Sequence, residues 1–222
     1  MQNLQTNSEI TQVEIVSEYE KSLGYFMIKR IIDIVGSLCG ILLLSPIMIT
    51  VGICIKLDSK GLIFFAQNRV GQDGRKFTMY KFRSMCSDAE CLLDKLQAKN
   101  ELSGPMFKIK EDPRVTKIGR FIRKTSIDEL PQLFNILKGE MSLVGPRPSL
   151  PKEVAQFTPF QKQRLIAKPG LTCYWQVRGR SDVGFEEWMQ MDVKYVEERN
   201  TWVDMGLIFS TVGVLFGDET AS

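Results

Sequence analysis

IIDIVGSLCGILLLSPIMITVGICI, Ile31 to Ile55, is an apolar run of about 25 residues interrupted by one Ser45-Pro46 pair. Wound as an α-helix, a run of this length reaches across the hydrocarbon core of a bilayer. Two features complicate a plain crossing. Proline inside a helix removes a backbone hydrogen bond and bends the rod. Cations also stand at both ends, Lys29 and Arg30 before and Lys56 and Lys60 after, and the bias of basic residues toward the cytoplasm pulls both ends to one side. A helix that enters, turns at Ser45-Pro46 and returns satisfies both facts; a spanning helix with a proline kink is the alternative. In lipid the carbonyl freed by proline needs a donor, and the Ser45 hydroxyl is placed to supply one.

Working outward, residues 1–25 form a polar arm without the basic start and early apolar run of a signal peptide. Residues 26–58 carry the membrane helix, and residues 59–222 read as one domain, large enough for a real core. Charged residues make up 25% of the chain, so wholesale disorder is excluded. A net charge of +3 and a pI near 8.5 do not mark a nucleic-acid binder. The chain has no histidine, which removes imidazole bases, Ser-His-Asp triads and most zinc sites. Five scattered cysteines without a C-x-x-C pair read as reduced structural thiols.

Beyond Lys56 the pattern shifts. Leu62–Gln67 and Phe77–Phe82 read as strands around a turn at Gly71–Gly74. Asp88 to Asn100 has helical spacing, followed by a break at Ser103-Gly104-Pro105. In DPRVTKIGRFIRKTS, Arg114, Lys117, Arg120 and Arg123 recur every third residue beside Val115, Ile118 and Ile122. On a helix this is a basic stripe flanking an apolar one, meaning either a solvated face or a phosphate-binding one. TSIDELPQLFNILKGEMS then sets Asp128 and Glu129 side by side. Ser126-x-x-Glu129 has the spacing of a capping box, and with Pro131 so close a start capped by Asp128 fits too. Both versions place two carboxylates at a helix N-terminus near cations. Gly145-Pro146-Arg147-Pro148 and Lys168-Pro169-Gly170 are stiff loops carrying basic groups, and WQVRGR adds Arg178 and Arg180. Anchored cations around paired carboxylates, with no imidazole, suit phosphoryl transfer.

These stretches resemble the bacterial sugar transferases that start glycan assembly, the polyprenyl-phosphate hexose-1-phosphate transferases or monotopic phosphoglycosyl transferases. The resemblance rests on KRIIDIVGS, Ser45-Pro46, NRVGQDGRKFTMYKFRSM, DPRVTKIGRFIRKTSIDELPQLFNILKGEMSLVGPRP, KPGLT and WQVRGRS, in family order from about Lys29 onward. It implies an α+β, mostly helical protein: a re-entrant membrane helix hairpin with a small catalytic domain and amphipathic interfacial helices. It implies a place on the cytoplasmic face of the bacterial plasma membrane. Asp128 would be the nucleophile that takes a hexose-1-phosphate from a UDP-sugar, expels UMP and passes the group to undecaprenyl phosphate. Glu129 would support Asp128 or the metal; Lys81, Arg123 and Arg147 would bind phosphate and nucleotide. Mg²⁺ would be the cofactor, with Asp128 as a ligand. Ser45 and Pro46 match the break of the re-entrant helix. Downstream glycosyltransferases would be further partners, and exopolysaccharide or capsule synthesis the setting. The C-terminal run with Trp202, Leu207, Ile208, Val212, Leu215 and Phe216 would lie in the interface.

Cys173 stands where the family usually has glycine, so the local turn is expected to differ, and the GDETAS ending is atypical. The residues do not name the sugar; a plain hexose is the expectation. Two other readings use the same features: a Mg²⁺-dependent membrane phosphohydrolase working through the Asp-Glu pair, and a non-enzymatic adaptor that binds anionic lipid.

Overall fold

In the computed structural model, residues 21–86, 89, 91, 92, 109, 112–177 and 183–217 are described. The polar arm before Lys21, most of the Asp88–Asn100 segment, the Ser103-Gly104-Pro105 break, Arg178 and Arg180 lie outside them. The described chain is mostly helical, with two small two-stranded sheets.

Helix α1, Leu23–Asp58, is capped by the Ser22 side chain, which accepts from the Tyr25 N–H at 3.2 Å. Its 36 residues form one continuous helix with Pro46 inside, so the hairpin expected at Ser45-Pro46 is not seen as two separate helices. The reason is local. Pro46 leaves the Leu42 carbonyl without its usual donor, and the Ser45 hydroxyl donates to that carbonyl at 2.9 Å. Thr50 returns its hydroxyl to the Pro46 carbonyl at 2.9 Å. The helix therefore passes the proline without an orphaned acceptor at this point.

Both halves of α1 rest on the rest of the chain. Near its start, Lys29 Nζ donates to Asp204 Oδ2 and to the Val144 carbonyl, each at 2.9 Å. Asp33 Oδ1 accepts from Ser142 Oγ at 2.9 Å and the Leu143 N–H at 2.8 Å. Near its end, Val51 and Ile55 pack with Phe82 and Ile122. The opposite face is apolar and open, with Leu42 72% and Leu43 77% exposed. A helix with one gripped stripe and one bare apolar face is matched to lipid rather than to water.

Strands β1 (Phe64–Val70) and β2 (Lys76–Phe82) form an antiparallel hairpin, and the expected turn lies between them, with Asp73 and Gly74 in the left-handed region. Helix α2, Lys117–Lys124, starts where the Thr116 hydroxyl accepts from the Gly119 N–H at 2.9 Å. It buries Ile122 and exposes Lys117, Arg120 and Arg123. Arg114 does not join that stripe: it precedes the helix, is buried, and pairs with Asp112 at 2.6 Å. Helix α3, Gln132–Lys138, ends at Gly139 in the left-handed region. Arg30 of α1 donates to the Ile136 and Leu137 carbonyls at 2.7 Å each, satisfying acceptors that a helix C-terminus leaves free.

Strand β3, Ser142–Val144, pairs in parallel with β4, Gly170–Thr172. Just past β3, a Cβ on Gly145 would run into the Lys168 carbonyl, and one on Gly170 into the Gly145 nitrogen. Main chain therefore touches main chain where the two Pro-stiffened loops meet, and only glycine fits. Short helices α4 (Pro151–Val154), α5 (Pro159–Lys162) and α6 (Tyr174–Val177) connect to α7 (Phe185–Glu198) and α8 (Thr201–Gly217). Cys173 sits fully buried among Val144, Tyr195, Val196 and Leu207, and is not among the residues with positive φ. The turn after KPGLT thus takes cysteine without strain. All five cysteines are free thiols, as expected.

Helix α8 has an inner and an open face. Leu207 is buried, while Trp202 is 86% exposed and Val212 is also open. Asp204, on the inner face, accepts from Tyr25 and Tyr195 hydroxyls as well as Lys29. The side chains of Leu215 and Phe216 lie outside the described residues.

Candidate active site

Asp128 and Glu129 belong to a one-turn 3₁₀ segment, Ile127–Glu129, wedged between α2 and α3. Neither capping scheme read from the sequence occurs. Ser126 makes no side-chain cap and adopts φ 57° in the left-handed region, and α3 begins later, with Pro131 at its N-cap position. A non-glycine residue in that region is uncommon and costs on the order of 1 kcal/mol or more. Its effect is to turn the chain sharply after α2, so that the two carboxylates leave the helix axis and face the β1–β2 hairpin.

Lys81, near the end of β2, meets them there. Its Nζ lies 2.7 Å from Glu129 Oε1 and 4.0 Å from Asp128 Oδ2. Arg147, on the stiff loop after β3, reaches the same Glu129 oxygen at 3.2 Å. The two carboxylates are thus treated differently. Glu129 Oε1 is held by two cations, whereas Asp128 accepts no hydrogen bond among the described residues. Burial alone would raise the Glu129 carboxyl, but Lys81 and Arg147 outweigh it and hold it down at about 2. Asp128 moves the other way: burial pushes its carboxyl up and the charge of Glu129 adds to that, against Lys81. Burial also pushes the Lys81 ammonium down, with Glu129 opposing.

Of the residues expected from sequence, Asp128, Glu129, Lys81 and Arg147 come together. Arg123 does not join them. It is exposed in the last turn of α2 and makes no side-chain ion pair among the described residues, acting on Asp128 only through its charge. Ser45 and Pro46 lie on the exposed stretch of α1, away from this cleft.

Sequence reasoning missed two cations. Arg69 of β1 lines the cleft with Lys81, Glu129 and Arg147. Its Nη1 donates to the Pro148 carbonyl at 3.1 Å, while its buried Nε has no partner. Burial and the neighbouring Arg147 hold it down at about 10. The signal was available: opposed residues of an antiparallel pair share a face, and Phe65↔Lys81 and Arg69↔Phe77 are two such pairs. Arg164 is the second, buried at 1% exposure behind the loop. It donates to the Arg147 carbonyl at 2.7 Å and to Ser149 Oγ, and pairs with Asp192. Phe157 and Trp188 flank its guanidinium. Nothing in the local sequence pairs Arg164 with Asp192.

The donor set fits a magnesium ion of one kind only. No group of three or more acidic, thiol or imidazole side chains gathers among the described residues, so there is no all-protein cage. Asp128 accepts no hydrogen bond among the described residues and meets Lys81 only at 4.0 Å, and Mg²⁺ is commonly held by one or two carboxylates together with substrate phosphates. Asp128 is the residue that would hold it.

The model of the family described as bacterial sugar transferase matches residues 24–218. The chain is 46% identical over 193 residues to a galactosyl transferase, CpsE, of Streptococcus agalactiae, covering 86% of this chain and 43% of that one. It is 41% identical over 217 residues to an undecaprenyl-phosphate galactose phosphotransferase of Salmonella typhimurium, covering 96% of this chain and 45% of that protein. The exopolysaccharide production protein ExoY of Rhizobium meliloti is 35% identical over 190 residues, with 84% of each chain covered. The chain therefore spans under half the length of the first two and most of the third. With a family match over nearly its whole described length, the chain belongs to the bacterial sugar transferase family.

Proposed function

We propose that this chain transfers a hexose-1-phosphate from a UDP-sugar to undecaprenyl phosphate, with Asp128 as the covalent nucleophile. The observation that carries this reading is the asymmetry of the carboxylate pair. Glu129 is clamped by Lys81 and Arg147, which draws charge from its oxygens. Asp128 is buried and accepts no hydrogen bond among the described residues, yet lies 4.0 Å from the Lys81 cation. Burial raises the Asp128 carboxyl and the charge of Glu129 adds to that, while Lys81 favours its charged form, and a poorly solvated carboxylate beside a cation suits a nucleophile.

In the first half-reaction an Asp128 carboxylate oxygen attacks the phosphorus that bears the sugar. The bond to the bridging oxygen between the two phosphates breaks, and UMP leaves with that oxygen and the electron pair. Lys81, Arg147 and Arg69 hold the phosphate oxygens and offset the charge of the departing UMP. In the second, an oxygen of undecaprenyl phosphate attacks the same phosphorus, the Asp128–phosphorus bond breaks, and the carboxylate is restored. Bound Mg²⁺ would neutralise diphosphate charge beside Asp128.

Membrane attachment is supported by α1, whose two halves grip one domain while its other face is apolar. A helix crossing the bilayer would carry its ends to opposite sides, where one domain cannot hold both; this supports a segment that enters and leaves the same face. Catalysis on the cytoplasmic face suits a nucleotide-sugar donor. Exposed Phe65, opposite Lys81 in the hairpin register, brings apolar surface close to the cleft, as an acceptor anchored in lipid requires.

The test is incubation with a radiolabelled UDP-hexose panel. Wild-type protein is expected to release UMP and acquire a hydroxylamine-sensitive label, while Asp128→Asn acquires neither. Turnover of Asp128→Asn near the wild-type rate would rule out the covalent scheme. Release of free sugar phosphate without lipid would mark a hydrolase instead.

A further inference from the structure

Lys168, in the Lys168-Pro169-Gly170 loop, is a cation for which the transfer scheme has no use. It lines a second cavity, of about 170 Å³, that shares no lining residue with the active cleft. Lys29, Arg30 and Arg199 line it too, against the single carboxylate of Asp33. That carboxylate is already engaged by Ser142 and Leu143. Lys29 is also committed, to Asp204, the Val144 carbonyl and the Tyr195 hydroxyl.

Two of the cations keep donors in hand. Arg30 spends one hydrogen bond from each terminal nitrogen on α3, which leaves three of the five N–H groups a guanidinium carries. The Lys168 ammonium makes no hydrogen bond or ion pair among the described residues. Burial and the Arg30 charge push it below the usual lysine range, with Asp33 opposing. Cations gathered in a partly dry cavity repel one another unless an anion joins them.

We propose that this cavity is a second anion site, taking a phosphate group whose oxygens accept from Lys168 and Arg30. Its mouth indicates the source. Phe26 lines the cavity and is 42% exposed, and its neighbours Leu23 and Met27 on α1 are 76% and 60% exposed. A cationic pocket with an apolar lip suits the headgroup of an anionic lipid, its chains lying along α1. Free phosphate carries the same chemistry without the chains. The lipid source rests on the membrane attachment proposed above; phosphate binding as such does not.

The full chain in neutral detergent would be titrated calorimetrically with inorganic phosphate, short-chain phosphatidylglycerol and short-chain phosphatidylcholine. Saturable binding of phosphatidylglycerol, weaker for phosphatidylcholine, is expected. Lys168→Ala should weaken it about tenfold, the usual worth of one charge-assisted hydrogen bond. Lys168-dependent binding of phosphate as strong as that of phosphatidylglycerol would identify free phosphate as the ligand. Lys168→Ala should leave UMP formation in detergent unchanged, so this site and the transfer reaction fail independently. Binding of both anionic probes with equal affinity by wild type and Lys168→Ala, or no binding at all, overturns the proposal.

Discussion

Replacing Glu129 with Gln keeps the shape of the side chain and removes the charge on which Lys81 and Arg147 converge. Both cations, 15% and 30% exposed, then lose the anion they share, and only Asp128 remains, 4.0 Å from Lys81. The size of the effect follows from titration. Glu129 is lowered from 4.5 to about 2 in the folded protein; at about 1.4 kcal/mol per pH unit this gap is worth about 3 kcal/mol at neutral pH. Some of it is returned, because Glu129 also raises the neighbouring Asp128, and partial exposure screens the remainder. The expected net loss in Glu129→Gln is about 2 kcal/mol at pH 7. The sign is fixed by the direction of the shift. A carboxyl lowered on folding stabilises fully above its unfolded value, and that contribution is lost as pH falls toward the folded one. The gap between wild type and Glu129→Gln should therefore be widest above about pH 5 and less than half as large at about pH 3. Urea unfolding in micelles at both pH values measures it. A gap independent of pH would show that packing, not charge, holds Glu129, and no gap at pH 7 would show that the clamp does not form.

Three further outcomes are expected. Gly145→Ala forces a methyl into the Lys168 carbonyl and should cost about 3 kcal/mol or more by backbone displacement; unfolding midpoints equal to wild type would refute the close crossing. Arg164→Lys cannot hold the Arg147 carbonyl, Ser149 and Asp192 together, so kcat/KM for UMP formation should fall about 10- to 100-fold, and an unchanged value would separate Arg164 from the cleft. Pro46→Ala restores the donor to the Leu42 carbonyl and should favour a straight crossing; cysteine-accessibility labelling that finds both ends of α1 on the cytoplasmic side in this variant would contradict that account.

The elements legible in sequence are those with local causes. The apolar run of α1, the β1–β2 hairpin around its glycine turn and the amphipathic α2 each follow from periodicity and turn chemistry within a few residues. Asp128, Glu129, Lys81 and Arg147 were nameable because each lies in a motif stretch of the family. The start of α3 was misread because Ser126-x-x-Glu129 has the right letters for a cap, while the Lys81 and Arg147 cations, distant in sequence, compete for the Glu129 carboxylate and win. Arg123 is named from the same resemblance, but helical spacing says only which residues share a stripe, and its exposed place in the last turn of α2 is set by how that helix packs.

Sequence alone thus determined an apolar helix with a hydroxyl beside its proline, a carboxylate pair among cations and a chain without imidazole chemistry. The reason is that such features depend on covalent order and on neighbours within a turn. Tertiary structure alone decided that one carboxylate is clamped by two cations while the other meets only Lys81 at 4.0 Å, that Arg69 lines the cleft while Arg123 is exposed on α2, and that Lys29, Arg30 and Asp33 fasten α1 to β3 and α3. Those outcomes are set by which distant charges meet in a partly desolvated space, where a few ångströms decide whether a cation pairs with a carboxylate or faces water.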